Sequence, residues 1–166
     1  MTRGLVLAFA GLTMTLAACG GEAPVAYHGD DPLPNGMTVK QQIEARQHNL
    51  KDLGGAYKVV NDQLKNDAPQ LAEIKLAAQE IRSHSREIGN WFPKGTGPES
   101  GVKTEALAAI WVDEASFKTK AQAFDDEAAK LNDAVAMENV DAIKAQAKAT
   151  GEACKACHDS FRQKKD

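Results

Sequence analysis

The chain has 166 residues, which is the length of one domain with a targeting segment. Its 20 Lys and Arg residues and 23 Asp and Glu residues give a formal net charge of −3 at pH 7. Because the charge balance is slightly acidic and the basic runs are short, the composition argues against a nucleic-acid partner.

Residues 1–18 are predicted to be a secretory signal peptide of the lipoprotein type. Arg3 provides a positive charge, and the apolar run that follows is too short to span a bilayer. The segment Leu-Ala-Ala-Cys, which ends at Cys19, resembles a bacterial lipobox, in which the cysteine becomes the lipidated first residue. An ordinary cleavage site beside a cysteine is the alternative. We therefore expect an exported protein, held by Cys19 on the periplasmic face of a bacterial membrane.

Residues 19–37 are predicted to be a flexible tether between the lipid and the folded domain, because Gly, Pro and Asp dominate and no apolar period is present. The folded domain is predicted over residues 38–166. Its first helix begins at a capping box formed by Thr38 and Gln41 and carries an apolar stripe to about Asp67.

Three further long helices are predicted in chain order. The second has Pro69 in its first turn and ends at Gly89, before a loop over residues 90–103 and a short helical segment. The third starts at Asp113, and Asn139 caps the fourth. No segment alternates with a period of two residues, so the sequence predicts an all-α protein, an antiparallel four-helix bundle.

The seam of the fourth helix consists of small residues, Ala147, Thr150 and Ala153, followed by two cysteines. The other three seams carry Leu, Ile and Phe. Because protein interiors do not keep large voids, we expect a group other than side chains to fill the volume beside this helix.

The same helix ends in the motif Cys154-Lys-Ala-Cys157-His158. Residues at i, i+3 and i+4 share one helix face, so two thioethers and one imidazole can reach a single porphyrin. Cys-x-x-Cys-His is the attachment motif of c-type haem, and an exported location suits it. We therefore predict one covalently attached haem c, with His158 as the iron ligand.

Three other interpretations of the motif are weaker. A structural zinc site needs four ligands, usually from two separated pairs, and no second Cys pair exists. A thioredoxin-like redox pair is expected near a helix N-terminus, whereas this pair lies in the last turns of a helix. A chance occurrence does not account for cysteines in phase with the core seam of an exported chain.

The sixth iron position has no obvious ligand, because only eight residues follow His158. A distal ligand must come from another helix, and the inward residues of the first helix are Leu50, Leu53, Gly54 and Tyr57. His84 is the one serious rival, since it lies one turn from an apolar position of the second helix. We expect five-coordinate iron with an apolar distal pocket.

Four strings in the chain are similar to those of cytochrome c prime, the class II c-type cytochromes. They are ARQHNLKDLGGAYK, NWFPKGTG, AAIWVDEASFKTKAQAF and CKACHDSFRQKK. The resemblance covers about residues 38–166. It implies thioether links at Cys154 and Cys157 and proximal ligation by His158.

The resemblance also implies roles for four residues around the haem. Leu50 would lie over the distal iron face, and Phe92 would help to wall the distal side. Arg46 would approach a haem propionate, although it could also be an exposed cation. Arg162 would lie beside the proximal imidazole.

The function expected from these features is binding of nitric oxide and carbon monoxide by high-spin iron, with protection against nitric oxide. The alternative is a low-spin cytochrome that shuttles electrons at the membrane face from an unknown donor. We expect no enzymatic activity, because no distal His–Arg pair of the peroxidase type is present. The resemblance further implies a homodimer, although the outward faces of the first two helices show no clear apolar patch.

Overall fold

The computed structural model of the protein describes residues 26–164. The predicted signal peptide and Cys19 lie outside the described residues. Short 3-10 turns over Ile88–Asn90 and Pro98–Ser100 lie in the connection between the second and third helices. The helices are α1 (Val39–Gln63), α2 (Leu71–Glu87), α3 (Ala109–Val112), α4 (Glu114–Ala136) and α5 (Val140–Phe161).

Three of the four long helices start at the capping signals in the sequence, whereas α2 starts at Leu71, after Pro69 and without a capping side chain. The Thr38 side chain accepts a hydrogen bond from the Gln41 amide, and the Gln41 side chain accepts one from the Thr38 amide. The side chains of Asp113 and Asn139 cap α4 and α5. α1 ends at Gln63, about one turn before the predicted end, and turns connect it to α2.

The four long helices form the predicted all-α bundle. α1 packs on α2, α2 on α4 and α4 on α5. Their main core is fully apolar at its centre, where Val60, Ile74, Ile81, Leu131 and Ile143 are all inaccessible to solvent. None of the helices in residues 26–164 is long and apolar enough to cross a membrane.

The bundle is open between α1 and α5, which do not pack along their lengths. Within the described residues a single hydrogen bond crosses this opening, from the Tyr57 hydroxyl to the Ala147 carbonyl oxygen at 2.9 Å. α1 and α5 carry Leu50 and the Cys-x-x-Cys-His motif respectively, so the opening separates the two elements that the sequence assigns to the two sides of the haem.

The tether prediction is wrong for residues 26–37, which fold onto the bundle. Leu33 is 5% exposed and packs on Val39 and Ile43 of α1. The carbonyl oxygens of Asp31 and Gly29 accept the first two amide groups of α1 at 3.0 and 2.8 Å. The physical reason is that the first turn of a helix has amide groups without helical partners, and this segment supplies their acceptors.

Candidate haem-attachment site

The motif residues lie on the last two turns of α5, where they border the opening. Cys154 packs against the main core, as does Leu50 of α1. Cys157 packs against a second cluster of buried side chains, Ile110, Phe117 and Phe161. Both cysteines are partly buried free thiols, so both sulfurs remain available for thioether bonds.

The electrostatics of the two thiols do not suit a redox pair. Burial, with a smaller contribution from Cys157, raises the pKa of Cys154 to about 11. Burial also raises the pKa of Cys157 above its ordinary value. Reactive redox cysteines have lowered thiol pKa values, so the structure argues against a thioredoxin-like function.

The described residues also lack the ligand set of a zinc site. No group of three or more His, Cys, Asp or Glu side chains in residues 26–164 is arranged to hold a metal ion. A structural zinc site needs four such ligands. The remaining chemistry of two thiols and an imidazole on one helix face is that of a covalent haem.

His158 follows Cys157 directly and keeps contact with solvent. Desolvation by the surrounding protein lowers its pKa below the ordinary value, and the positive charge of Arg162 acts in the same direction. Both effects favour the neutral imidazole, which is the form that binds iron.

The end of α5 is fixed by a neighbouring segment of the chain. The Arg162 amide donates to the His158 carbonyl oxygen at 3.1 Å, and the Leu107 amide donates to the Phe161 carbonyl oxygen at 2.9 Å. A bridge between Ala106 and Arg162 completes this contact. These backbone contacts fix the position of Arg162 at the end of α5, and its predicted place beside the His158 imidazole stays a prediction.

The α1 side of the opening offers room beside Leu50. Leu50 is half-buried, and a Cβ atom added at Gly54, one turn further on, would meet no atom within 4 Å. Tyr57, the one inward residue of α1 with a possible iron-binding atom, donates its hydroxyl proton to Ala147. The opening next to Cys154 therefore has an apolar side chain and free space on its α1 face, and both features fit a flat apolar ring.

Arg46 is 1% exposed, so it is not the exposed cation of the alternative interpretation. Its two terminal nitrogens donate to the hydroxyls of Thr96 and Thr104, both at 2.8 Å. The guanidinium carbon lies 4.9 Å from the centre of the Phe92 ring and 5.7 Å from that of Trp111.

The charge of Arg46 has no hydrogen-bonded carboxylate among the described residues. Burial lowers the pKa of the guanidinium to about 10, and the more distant Glu99 carboxylate opposes the shift. A buried positive charge without a paired anion is unfavourable. A haem propionate would supply the missing anion, so Arg46 fits the group that the sequence assigned to it.

Phe92 lies in an aromatic cluster next to Cys157. Its ring is 5.0 Å from that of Phe117, which in turn is 5.4 Å from that of Phe161, and both pairs are edge-to-face. Trp111 anchors the loop by donating from its indole nitrogen to the Pro93 carbonyl oxygen at 2.9 Å. Phe92 thus borders the Cys157 side of the site, whereas Leu50 packs in the main core.

His84, the possible sixth ligand, contacts Trp91 and Glu80. Its ring lies edge-on to Trp91 at 5.6 Å, and its Nε2 atom is 3.9 Å from a carboxylate oxygen of Glu80. His48 is largely exposed and pairs with Asp52. These contacts belong to the ends and outer faces of α1 and α2, and neither histidine packs in the clusters that hold Cys154 and Cys157.

The sequence did not identify four residues as part of the site: Thr96, Thr104, Trp111 and Phe117. The string Gly-Thr-Gly in the loop was a signal for Thr96, because glycines on both sides let the backbone fold tightly around a small polar side chain. Thr104 had no local signal, since its contact with Arg46 spans 58 residues.

Replacing Arg46 with methionine tests how this loop is held. Methionine keeps an apolar stem against Phe92 but removes the guanidinium that donates to the buried Thr96 hydroxyl and to the half-buried Thr104 hydroxyl. We expect the free energy of unfolding to fall by about 1–3 kcal/mol. Denaturant unfolding of the haem-loaded protein measures it, with Arg86→Met at an exposed site of α2 as the control. Equal losses in the two variants would contradict this account of Arg46.

An all-α bundle that opens between two helices, with a Cys-x-x-Cys-His motif at the edge of the opening, defines a four-helix-bundle c-type haem protein. The comparisons with known proteins agree. The model of the family described as Cytochrome C' matches residues 41–162. Cytochrome c' of Alcaligenes xylosoxydans is 35% identical over 124 residues, which are 74% of this chain and 94% of that protein.

Solved structures show the same fold. Cytochrome c' from Thermochromatium tepidum superposes with a TM-score of 0.73 at 24% identity and covers 77% of this chain and 98% of its own. The nitric oxide complex of a cytochrome c prime variant from Alcaligenes xylosoxidans has a TM-score of 0.69 at 31% identity, covering 76% and 97%. The chain belongs to the cytochrome c prime family, whose members carry a covalently bound haem c. The predicted family, fold and cofactor are thereby confirmed.

Proposed function

We propose that this protein binds nitric oxide and carbon monoxide at a ferrous, five-coordinate, high-spin c-type haem and so takes part in protection against nitric oxide. The observation that carries the proposal is the opening between α1 and α5, which has Leu50 on one side and His158 on the other. The nitric oxide complex of the related Alcaligenes protein supports the choice of ligand.

In this proposal each side of the site has a separate task. Cys154 and Cys157 hold the haem covalently, and His158 supplies the proximal nitrogen. The buried guanidinium of Arg46 provides a positive charge for a propionate. When bound, the haem supplies an iron atom with one coordination position open to small diatomic ligands.

The selectivity comes from the apolar distal side. Leu50 can neither ligate iron nor donate a hydrogen bond, and the Tyr57 hydroxyl is directed to Ala147 instead. Nitric oxide and carbon monoxide need no donor, whereas retention of dioxygen is assisted by one. We propose binding without turnover, because within residues 26–164 neither His48, which pairs with Asp52, nor His84 packs in the cluster that holds Leu50.

We propose further that the protein is exported and anchored through Cys19 at the periplasmic face of a membrane. The lipobox-like leader supports this location. Because folded structure begins by Ala26, six residues separate it from Cys19. A chain of that length spans at most about 25 Å, so the anchor would keep the haem domain close to the membrane surface.

Optical spectroscopy of the haem-loaded protein tests the proposal. We expect high-spin Soret and visible bands without added ligand, and a change in the ferrous spectrum on titration with carbon monoxide and with nitric oxide. A low-spin spectrum that neither gas alters would instead support the electron-transfer alternative. His84→Ala then serves as the control, since loss of the low-spin bands in that variant would identify His84 as the sixth ligand.

A further inference from the structure

Tyr57 of α1 and Gly151 of α5 meet across the opening of the bundle. The Tyr57 hydroxyl donates to Ala147, and its oxygen occupies the place where a side chain at residue 151 would begin. A Cβ atom added at Gly151 would lie 3.0 Å from the Tyr57 Cζ atom and closer still to the hydroxyl oxygen. Glycine disfavours helix, so its presence within α5 has a reason in this close approach.

The contact of Tyr57 with Gly151 lies within an open stretch between α1 and α5. A groove of about 620 Å³ between the two helices is lined by Tyr57 and Gly151 themselves, and along α5 it extends from Lys144 to Lys155. The opening beside Cys154 and Leu50 lies toward the Lys155 end of this groove. Since α1 is otherwise packed on α2 and α5 on α4, the contact of Tyr57 with Gly151 is a point of support between two separated helices.

The position of this support relates it to the haem site. Leu50 precedes Tyr57 by seven residues, and His158 follows Gly151 by seven. Because α1 and α5 are antiparallel, both steps lead in the same direction along the bundle, by roughly 10 Å at 1.5 Å per residue. The separation of the helices at Tyr57 therefore bears directly on their separation at Leu50 and His158.

We propose that Tyr57 and Gly151 form a spacer that sets the distance between α1 and α5, and thereby how closely Leu50 screens the ligand-binding side of the haem. Tyr57 and Gly151 are positioning residues here, since neither is proposed to touch the reacting gas. The effect on gas entry rests on the proposed function, whereas the effect on helix separation does not.

Gly151→Ala in the haem-loaded protein tests the spacer, with Gly55→Ala as the matched control. A Cβ atom at Gly55 of α1 would meet nothing within 4 Å, so this variant makes the same exchange in a helix without a collision. We expect carbon monoxide to associate with ferrous Gly151→Ala faster than with the control, by roughly threefold or more. The rate is measured by flash photolysis.

A second pair of variants shows whether the effect passes through the hydroxyl group. In a Tyr57→Phe background the atom nearest to the new Cβ is removed, and the next is the ring carbon at 3.0 Å. The effect of Gly151→Ala on the rate should therefore shrink in that background. General damage to α5 would give the same change in both backgrounds, and that result would overturn the proposal.

Crystal structures of Gly151→Ala and Gly55→Ala give a readout that does not depend on gas binding. We expect a longer distance between the Cα atoms of residues 57 and 151 in Gly151→Ala. An unchanged distance would overturn the spacer even if carbon monoxide binds normally. A longer distance in a protein that binds neither gas would retain the spacer and refute the proposed function.

Discussion

Replacing Cys154 and Cys157 together with serine is expected to abolish covalent haem attachment. Serine preserves the size and helix position of each residue but has no sulfur with which to form a thioether. Both thiols are free and border the opening, so each is available for a separate link. The measurement is haem retention on the polypeptide after denaturation, read from in-gel haem staining and from the mass of the intact chain.

Single variants and the third cysteine sharpen this experiment. Cys154→Ser and Cys157→Ser should each keep the haem, because one thioether still tethers the ring. The yield of haem protein should be lower than for the unaltered chain. Cys19→Ser is the control, since Cys19 lies outside the motif and is proposed to carry lipid. It should lose membrane attachment and keep its haem. Haem that survives denaturation in the double variant would refute the assignment of the links.

The helices could be predicted because their signals are local. The capping box at Thr38 and the cap at Asn139 each involve residues within three positions, and the apolar stripes repeat within one turn. The haem motif is equally local, since three residues within five positions determine its chemistry. The Thr38 capping box also marked where α1 begins, although not where the folded domain begins.

The contacts that shape the site are long-range and left no periodic signal. The bond from Arg46 to Thr96 spans 50 residues, and the bond from Tyr57 to Ala147 spans 90. Sequence reasoning placed Arg46 near the haem only through the family resemblance. It could not show that two threonine hydroxyls hold the guanidinium.

The small-residue seam of α5 was interpreted too simply from the sequence. Thr150 is fully buried, and its hydroxyl donates to the Gln146 carbonyl oxygen at 2.9 Å. Ala147 is also buried, and its carbonyl oxygen accepts from Tyr57. These small residues let neighbouring groups of the protein approach α5, so the small-residue seam does not by itself mark the space for a haem.

Leu50→Ala is expected to speed the association of carbon monoxide with the ferrous protein by about tenfold or more, which corresponds to a barrier lower by about 1.4 kcal/mol. The physical reason is that truncation removes the apolar group proposed to cover the ligand-binding side of the haem. Leu50 is only half-buried, so the variant should lose less stability than a core truncation would.

Leu53→Ala, one turn further along α1, separates screening from packing. Leu53 is 8% exposed and lies in the main core, so its truncation should lower the free energy of unfolding by about 2–5 kcal/mol. Its effect on the carbon monoxide rate should be small, because its side chain points into the core. Fast association in Leu50→Ala with large destabilisation in Leu53→Ala would assign the two leucines to different tasks. If Leu50→Ala and the unaltered protein associate with carbon monoxide at the same rate, Leu50 does not face the iron, and selectivity for nitric oxide must arise from another part of the opening.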